Sequence, residues 1–472
     1  MSRRTGGVPV GAVFVRHDAD IYLGRYAGPI AAFEGRWSVP LVSLADGDRG
    51  SDAGRGSDTD RGSDTDWGSD AGTDADDAGI DVRERLDGID IPAEATVVRS
   101  GDPYSVVVGS GAEPTTLTVT PVLVEWSSRD VDRSCVVDRL TDPEGVHALA
   151  DGEWVSPTEL RCRDTVSRLR TGYDRVRPTP AAISADTEHG SGYISVRAME
   201  VVRDTATAER GPSRSDTPDG WETITATAEE VLAARPSMAA LTNRVNRILT
   251  RSADDRTAAA VESIADEEIA AALAADSRAA EAATPIVAGE TVLTLSRSGT
   301  LLSVLREGPA RVFVAESRPK REGIGVAEAV ADAGVDTAVC TDAAIGHLLA
   351  AEPIDAVLLG ADTVLADGTV INKVGSRGAA IAAAAADVPT YVVASADKIA
   401  PGTEPTLEAG ADEEIYDGDR DIGVHNPTFD ATPPEYVTAF LTERGTLGPA
   451  DVAGVAADHA ALAAWRDDDG NG

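Results

Sequence analysis

At 472 residues the chain has room for two or three domains, and a hydrophobic content of 42% is enough to fill their cores. Its 80 acidic residues against 42 basic ones, a net charge of −38, exclude duplex nucleic acid as a direct ligand, because phosphate neutralisation needs a basic patch that the sequence lacks. The acids are spread along the chain, and arginine replaces lysine everywhere except Lys320, Lys373 and Lys398, as expected of a protein working in high salt where self-repulsion is screened.

The three cysteines, Cys135, Cys162 and Cys340, form no CxxC pair and no disulfide framework. No apolar run reaches membrane-spanning length, and none of signal-peptide character follows Met1. A cytoplasmic protein without a membrane partner is expected.

Taken in order, residues 8–16 and 21–26 are β-branched runs that read as a hairpin, followed by Gly35-Arg36-Trp37-Ser38-Val39-Pro40. Residues 45–79 are low in complexity, with RGSDTD twice in tandem; a segment so acidic and so poor in apolar groups is expected to be a disordered loop. Strands are expected near 104–109 and 116–126, and Trp154 to Leu160 leads into a helix ending near Tyr173. Together these pieces resemble the Nudix fold over residues 8–176. That resemblance implies a helix whose clustered carboxylates hold a catalytic magnesium ion. Here Leu41-Val42 stand where glycines would follow Pro40, and Asp81, Glu84 and Asp87 are out of register with the motif. The expectation is a Nudix-like α+β domain over 1–176 that has lost its hydrolase, with Mg2+ as a cofactor only if it is active.

Residues 177–288 read as a linker and a helical subdomain. Asp186 to Gly192 precedes an amphipathic helix, with Gly190 at its opening. Such glycines either expose backbone amides to an anion or form an ordinary turn. A polar insert spans 209–220, and apolar residues recur at helical spacing through 227–283, broken at Arg235-Pro236-Ser237. From Gly289 the period changes. Short buried strands at 291–296, 310–317, 336–341, 355–360 and 390–395 alternate with helices, the spacing of a doubly wound parallel, Rossmann-like sheet over 289–455. Residues 456–472 remain as an acidic tail. Each strand ends in small or polar residues, and the run from Val357 to Gly378 gathers Asp362, Asn372, Lys373 and a helix opening at Gly375-Ser376. Such a set at the carboxyl edge suits a phosphorylated, hydroxylated small molecule, or is a surface turn in which Asp362 merely caps a helix.

Residues Glu316 to Pro319, Gly360 to Ser376 and Asn426 to Gly445 closely resemble the initiation factor 2B α/β/δ superfamily, which also holds methylthioribose-1-phosphate isomerase and archaeal ribose-1,5-bisphosphate isomerase. The resemblance spans about 186–455. In the isomerases a cysteine and an aspartate move hydrogen between C1 and C2 of a sugar phosphate. It implies that Asp362 is the aspartate, that Asn372 and Lys373 hold sugar oxygens, and that Arg318 lies near a phosphate, with Arg235 and Arg297 as further binding candidates. It also places Ser296 where the cysteine stands, and His189, before Gly190, where a phosphate-loop arginine stands. A serine hydroxyl is too weak an acid to replace a thiol in proton transfer without an added base. Cys340 does not match the cysteine's position and reads as an apolar filler. Three readings follow: a regulatory protein binding a phosphosugar or nucleotide, an isomerase of altered mechanism using Asp362 and Ser296, or a Nudix hydrolase with a regulatory tail. The resemblance further implies a homo-oligomer, a dimer through the carboxyl-terminal domain.

Overall fold

A computed structural model describes residues 8–44, 95–109, 114–126, 133–141, 149–210, 218–405 and 407–466. The expected loop at 45–79, the candidates Asp81, Glu84 and Asp87, and residues 211–217 of the polar insert lie outside them. The chain divides into two compact units, Met1–Arg177 and Pro178–Gly472.

The first unit is built on one mixed sheet. Its centre is β1 (Val8–His17), whose β-branched run is buried on both faces from Gly11 onward. The expected hairpin joins it to β2 (Asp20–Tyr26), with β3 (Trp37–Ser38) and β4 (Leu41–Ser43) following. After β5 (Thr96–Ser100) and β6 (Tyr104–Val108), the long β7 (Thr115–Glu125) runs parallel to β1. The register sets Arg16 opposite Glu125, and the two side chains form a buried ion pair at 3.1 Å. α1 (Arg133–Leu140), β8 (Leu149–Val155) and α2 (Leu169–Val176) complete the unit, and Phe14, Tyr22, Leu123, Trp126 and Tyr173 fill its core.

The single helix expected after Trp154 is two pieces. Ser156 caps a 3-10 turn, Pro157–Arg161, and α2 starts only at Leu169. Between them the chain takes up strand-like bonds instead: Trp37 donates its N–H to the Asp164 carbonyl, and Val166 donates to that of Trp37, both at 2.9 Å.

The second unit opens with α3 (Pro180–Ala185), α4 (Ser191–Glu209), α5 (Pro218–Ala234), α6 (Ala239–Ser252) and α7 (Ala258–Ala283), a bundle interrupted as expected at Arg235-Pro236-Ser237. Strand and helix then alternate through β9 (Thr291–Leu295), α8 (Gly299–Glu307), β10 (Arg311–Ala315), α9 (Glu322–Asp332), β11 (Asp336–Cys340), α10 (Ile345–Ala351) and β12 (Ala356–Leu359). A small antiparallel sheet is made by β13 (Thr363–Val364) and β14 (Val370–Lys373) with a later strand. α11 (Ser376–Ala385), β15 (Thr390–Val393), that later strand β16 (Phe429–Thr432), β17 (Ala439–Thr442), β18 (Gly445–Leu447) and α12 (Pro449–Ala461) end the unit.

The main sheet runs β11-β10-β9-β12-β15-β17-β18, parallel except for the last strand. Its first strand in sequence, β9, lies beside its fourth, β12, so the winding reverses between them. Ligands in such sheets bind in the crevice beyond the carboxyl ends of the strands at that reversal.

Two expectations are corrected here. Residues 336–341 were expected as a buried strand, but β11 is the sheet's edge with one neighbour, and Val339 is 52% exposed. The boundary placed at 455 falls inside α12, and Trp465 beyond it is buried with its indole N–H donated to Asn246 Oδ1. α9 is seated so closely on β10 that a Cβ at Gly323 would lie 1.9 Å from the Ala315 carbonyl oxygen. Backbone cannot yield as a side chain does, so Gly323→Ala is expected to cost about 2–3 kcal/mol in a denaturant titration.

Candidate functional site

The site grows from β12. Its four apolar residues are fully enclosed, and the chain leaves the sheet through Gly360. A Cβ there would come within 3.1 Å of Ser298 Cβ and 3.8 Å of Asn372 Oδ1, so glycine lets the ends of β9 and β14 close around the turn. Asp362 follows, anchored by its N–H on the Ile371 carbonyl at 2.9 Å. Its Oδ1 accepts from Ser191 Oγ at 3.4 Å, which brings the amino end of α4 to the crevice. Burial pushes the Asp362 carboxyl above the usual range; the ammonium groups of Lys398 and Lys373 and the Ser191 hydroxyl oppose this, and Glu408 adds to it.

Ser296 follows the last residue of β9 across the reversal. It sits in left-handed backbone, φ 64°, and its N–H donates to Ser317 Oγ at 2.6 Å; Ser317, two residues beyond β10, has φ 63°. Non-glycine residues held in this region collect at ligand sites because the surrounding structure must over-determine them. The neighbouring Arg297 is exposed and donates to the Glu188 carbonyl, joining the β9 turn to the loop before α4.

That loop is built on Asp186. Its carboxylate accepts the N–H groups of Glu188 and His189 at 3.0 Å each and lies 2.9 and 3.1 Å from His189 Nδ1. Burial works against the charge, but the His189 ring and the two backbone donors hold this carboxyl below its usual range. Gly190 is the residue before the helix, with φ −79° and no atom within 4 Å of a would-be Cβ, so its conformation does not require glycine. Arg235 spends its donors on the carbonyls of Ile183 and Asp186, with Glu408 3.8 Å away, so it clamps the loop.

On the far side, Asn372 is buried and donates to Ser376 Oγ at 2.9 Å, while Lys373 Nζ donates to Glu322 at 2.8 Å. Arg318 is exposed at the end of β10, its N–H given to Asp342 Oδ2 at 2.7 Å. A cavity of about 310 Å3 lies at this edge, lined by Leu295, Asp342, Ile345, Val374, Gly375 and Ala379. Its wall thus adjoins Ser296 and Lys373 in sequence. The expected set therefore divides. Asp362, Ser296, Arg297, His189, Gly190, Asn372 and Lys373 come from elements meeting at the reversal, Arg318 stands at the neighbouring strand end, and Arg235 supports from behind. The candidate ligand for a metal in the first unit, Glu84, is outside the described residues.

Sequence reasoning missed Ser191, Glu322, Glu408 and Lys398. Lys398 is buried, and its Nζ donates to the Ala361 carbonyl at 2.6 Å, fixing the peptide before Asp362. Its signal was available: it is one of three lysines in a chain that otherwise uses arginine.

Known proteins resemble this unit. The model of the initiation factor 2 subunit family matches residues 187–449, more than half of the chain. The chain belongs to that family. Among its relatives, the ribose 1,5-bisphosphate isomerase of Methanocaldococcus jannaschii is 32% identical over 232 residues, 46% of this chain and 75% of that protein. The ribose 1,5-bisphosphate isomerase of Haloferax volcanii is 30% identical over 298 residues, 59% and 91% respectively. The crystal structure of 5-methylthioribose 1-phosphate isomerase from Pyrococcus horikoshii, 20% identical, superposes with a TM-score of 0.50 over 69% of this chain and 92% of its own, which shows the shared fold. The family match begins at residue 187, within the second unit. No described helix is long and apolar enough to cross a membrane.

Proposed function

We propose that this family member binds a phosphorylated sugar or nucleotide in the crevice between β9 and β12 in a regulatory role, without aldose–ketose turnover. The observation that carries the reading is the pairing at the reversal: Asp362 with a raised carboxyl on one side, and Ser296 rather than a thiol on the other. Asp362 can exchange a proton with a bound sugar, but serine supplies no second group titrating near neutral pH. The relatives named as ribose 1,5-bisphosphate isomerases support a sugar phosphate as ligand. Lys373, Asn372, Arg297 and Arg318 are the residues proposed to hold its oxygens. A homo-oligomer through this unit, and a Nudix-like binding or scaffolding role for the first unit, belong to the same proposal.

Thermal denaturation in molar salt with ribose 5-phosphate and with nucleoside monophosphates tests it. A ligand at a hundred times its Kd is expected to add roughly 2.7 kcal/mol of stability. Lys373→Ala should reduce that gain, since a charge-assisted bond contributes about 1.5–3 kcal/mol. No stabilisation by any phosphorylated sugar or nucleotide would overturn the reading.

A further inference from the structure

The loop beside Asp362 carries a feature that holding phosphate does not require. The His189 ring stacks on Tyr193, with centroids 4.1 Å apart and planes inclined by 17°, and the Arg197 guanidinium lies 4.9 Å from the centre of the Tyr193 ring. Tyr193 and Arg197 lie one turn apart on α4, and the His189 ring, from the loop just before the helix, continues their stack at its amino end. His189 is the plate at the amino end, with its side chain 42% exposed. That is the end at which Ser191, two residues on, reaches Asp362.

We propose that the bound ligand is a nucleoside phosphate whose base lies on the open face of His189 while its ribose phosphate enters the crevice beside Asp362. This rests on the reading above and narrows its ligand class. The plate is held by hydrogen bonds of its own loop. Asp186 holds the ring's Nδ1, the backbone N–H groups of Glu188 and His189 hold Asp186, and Arg235 holds the Asp186 carbonyl. A pre-set aromatic face spares the ordering cost that a free side chain would add on binding. An imidazole so engaged is a poor phosphate clamp but a good stacking surface. The charge on the phosphate falls to the exposed Arg297, whose bond to the Glu188 carbonyl keeps the β9 turn on the loop's side. Every base offers a π-face, so this platform selects for a planar base without selecting which one.

The test is titration calorimetry on the full chain in molar salt, comparing ribose 5-phosphate with adenosine 5′-monophosphate and uridine 5′-monophosphate. Both nucleotides are expected to bind roughly 5- to 150-fold more tightly than ribose 5-phosphate, the range that one stacked base confers. In His189→Ala, checked for an unchanged cooperative melt, that ratio should collapse towards one. His189→Phe, which keeps a plane but not the Asp186 bond, should restore part of it. Equal affinities in the unmodified protein, or a ratio that survives His189→Ala, would overturn the nucleotide assignment while leaving the phosphosugar reading intact; the stack would then serve α4 alone. Failure of all three ligands to bind would overturn the nucleotide assignment and, where ribose 1,5-bisphosphate fails to bind as well, the phosphosugar reading with it.

Discussion

Asp397→Ala is expected to cost about 3–5 kcal/mol, among the largest single-residue effects in the second unit. Asp397 accepts from Arg244 Nε at 2.9 Å and from Arg247 at 2.6 Å, and Arg247 and Arg251 both reach Glu268. The Arg244 side chain is 1% exposed, so removing Asp397 takes away its hydrogen-bonded carboxylate and leaves Asp276, 3.9 Å away, as the remaining counter-charge. Burial alone would raise the Asp397 carboxyl, but the two guanidinium groups hold it down to about 2. Because the unfolded chain takes up this proton first, near the ordinary 3.8, the pair's contribution is complete above that pH and is lost as pH falls towards 2. Urea denaturation between pH 2 and 6 should therefore show a steeper acid loss for the unmodified protein than for Asp397→Ala. The effect reaches the site as well. Lys398, the next residue, holds the Ala361 carbonyl beside Asp362, so a disturbed Asp397 should also weaken ligand binding.

Ser296→Cys is expected to create a detectable ribose 1,5-bisphosphate isomerisation where the unmodified protein is expected to show none. A thiol titrates near 8.5 when unperturbed, and lower beside a cation such as Arg297, so it can share proton transfer with Asp362. General acid–base groups contribute roughly a hundred- to ten-thousandfold each, so the gain should be measurable wherever the substrate binds. Asp362→Asn in the Ser296→Cys background should abolish it again, because an amide cannot exchange the proton. Binding without gain would direct attention to the phosphate side, with His189→Arg as the next substitution.

Much of the second unit was legible because its signals are local. Four enclosed residues ending at Gly360 announce a parallel strand, and the small or polar residues after each strand announce the edge where a ligand sits. The β11 error has a physical cause: a short apolar run says that a strand exists, not whether it has one neighbour or two. Ser191 and Glu408 escaped because each meets Asp362 across more than forty residues of chain, and nothing in their local sequence marks that encounter. Arg235 was legible as a break and not as a clamp, since its partners are main-chain carbonyls, which every residue offers. In the first unit the hairpin and β7 were read from their β-branched runs, whereas the helix after Trp154 was misread because Trp37 bonds the chain on both sides of Thr165.

The central claim is that the crevice retains a phosphorylated ligand but not the aldose–ketose chemistry. Incubating the unmodified protein with ribose 1,5-bisphosphate in molar salt, and following the sugar by phosphorus and proton NMR, tests it most directly. Saturable binding is expected, with no ketose above the background without protein. Ketose that accumulates above background with the unmodified protein would contradict the claim, and its persistence in Ser296→Ala would show that the serine takes no part.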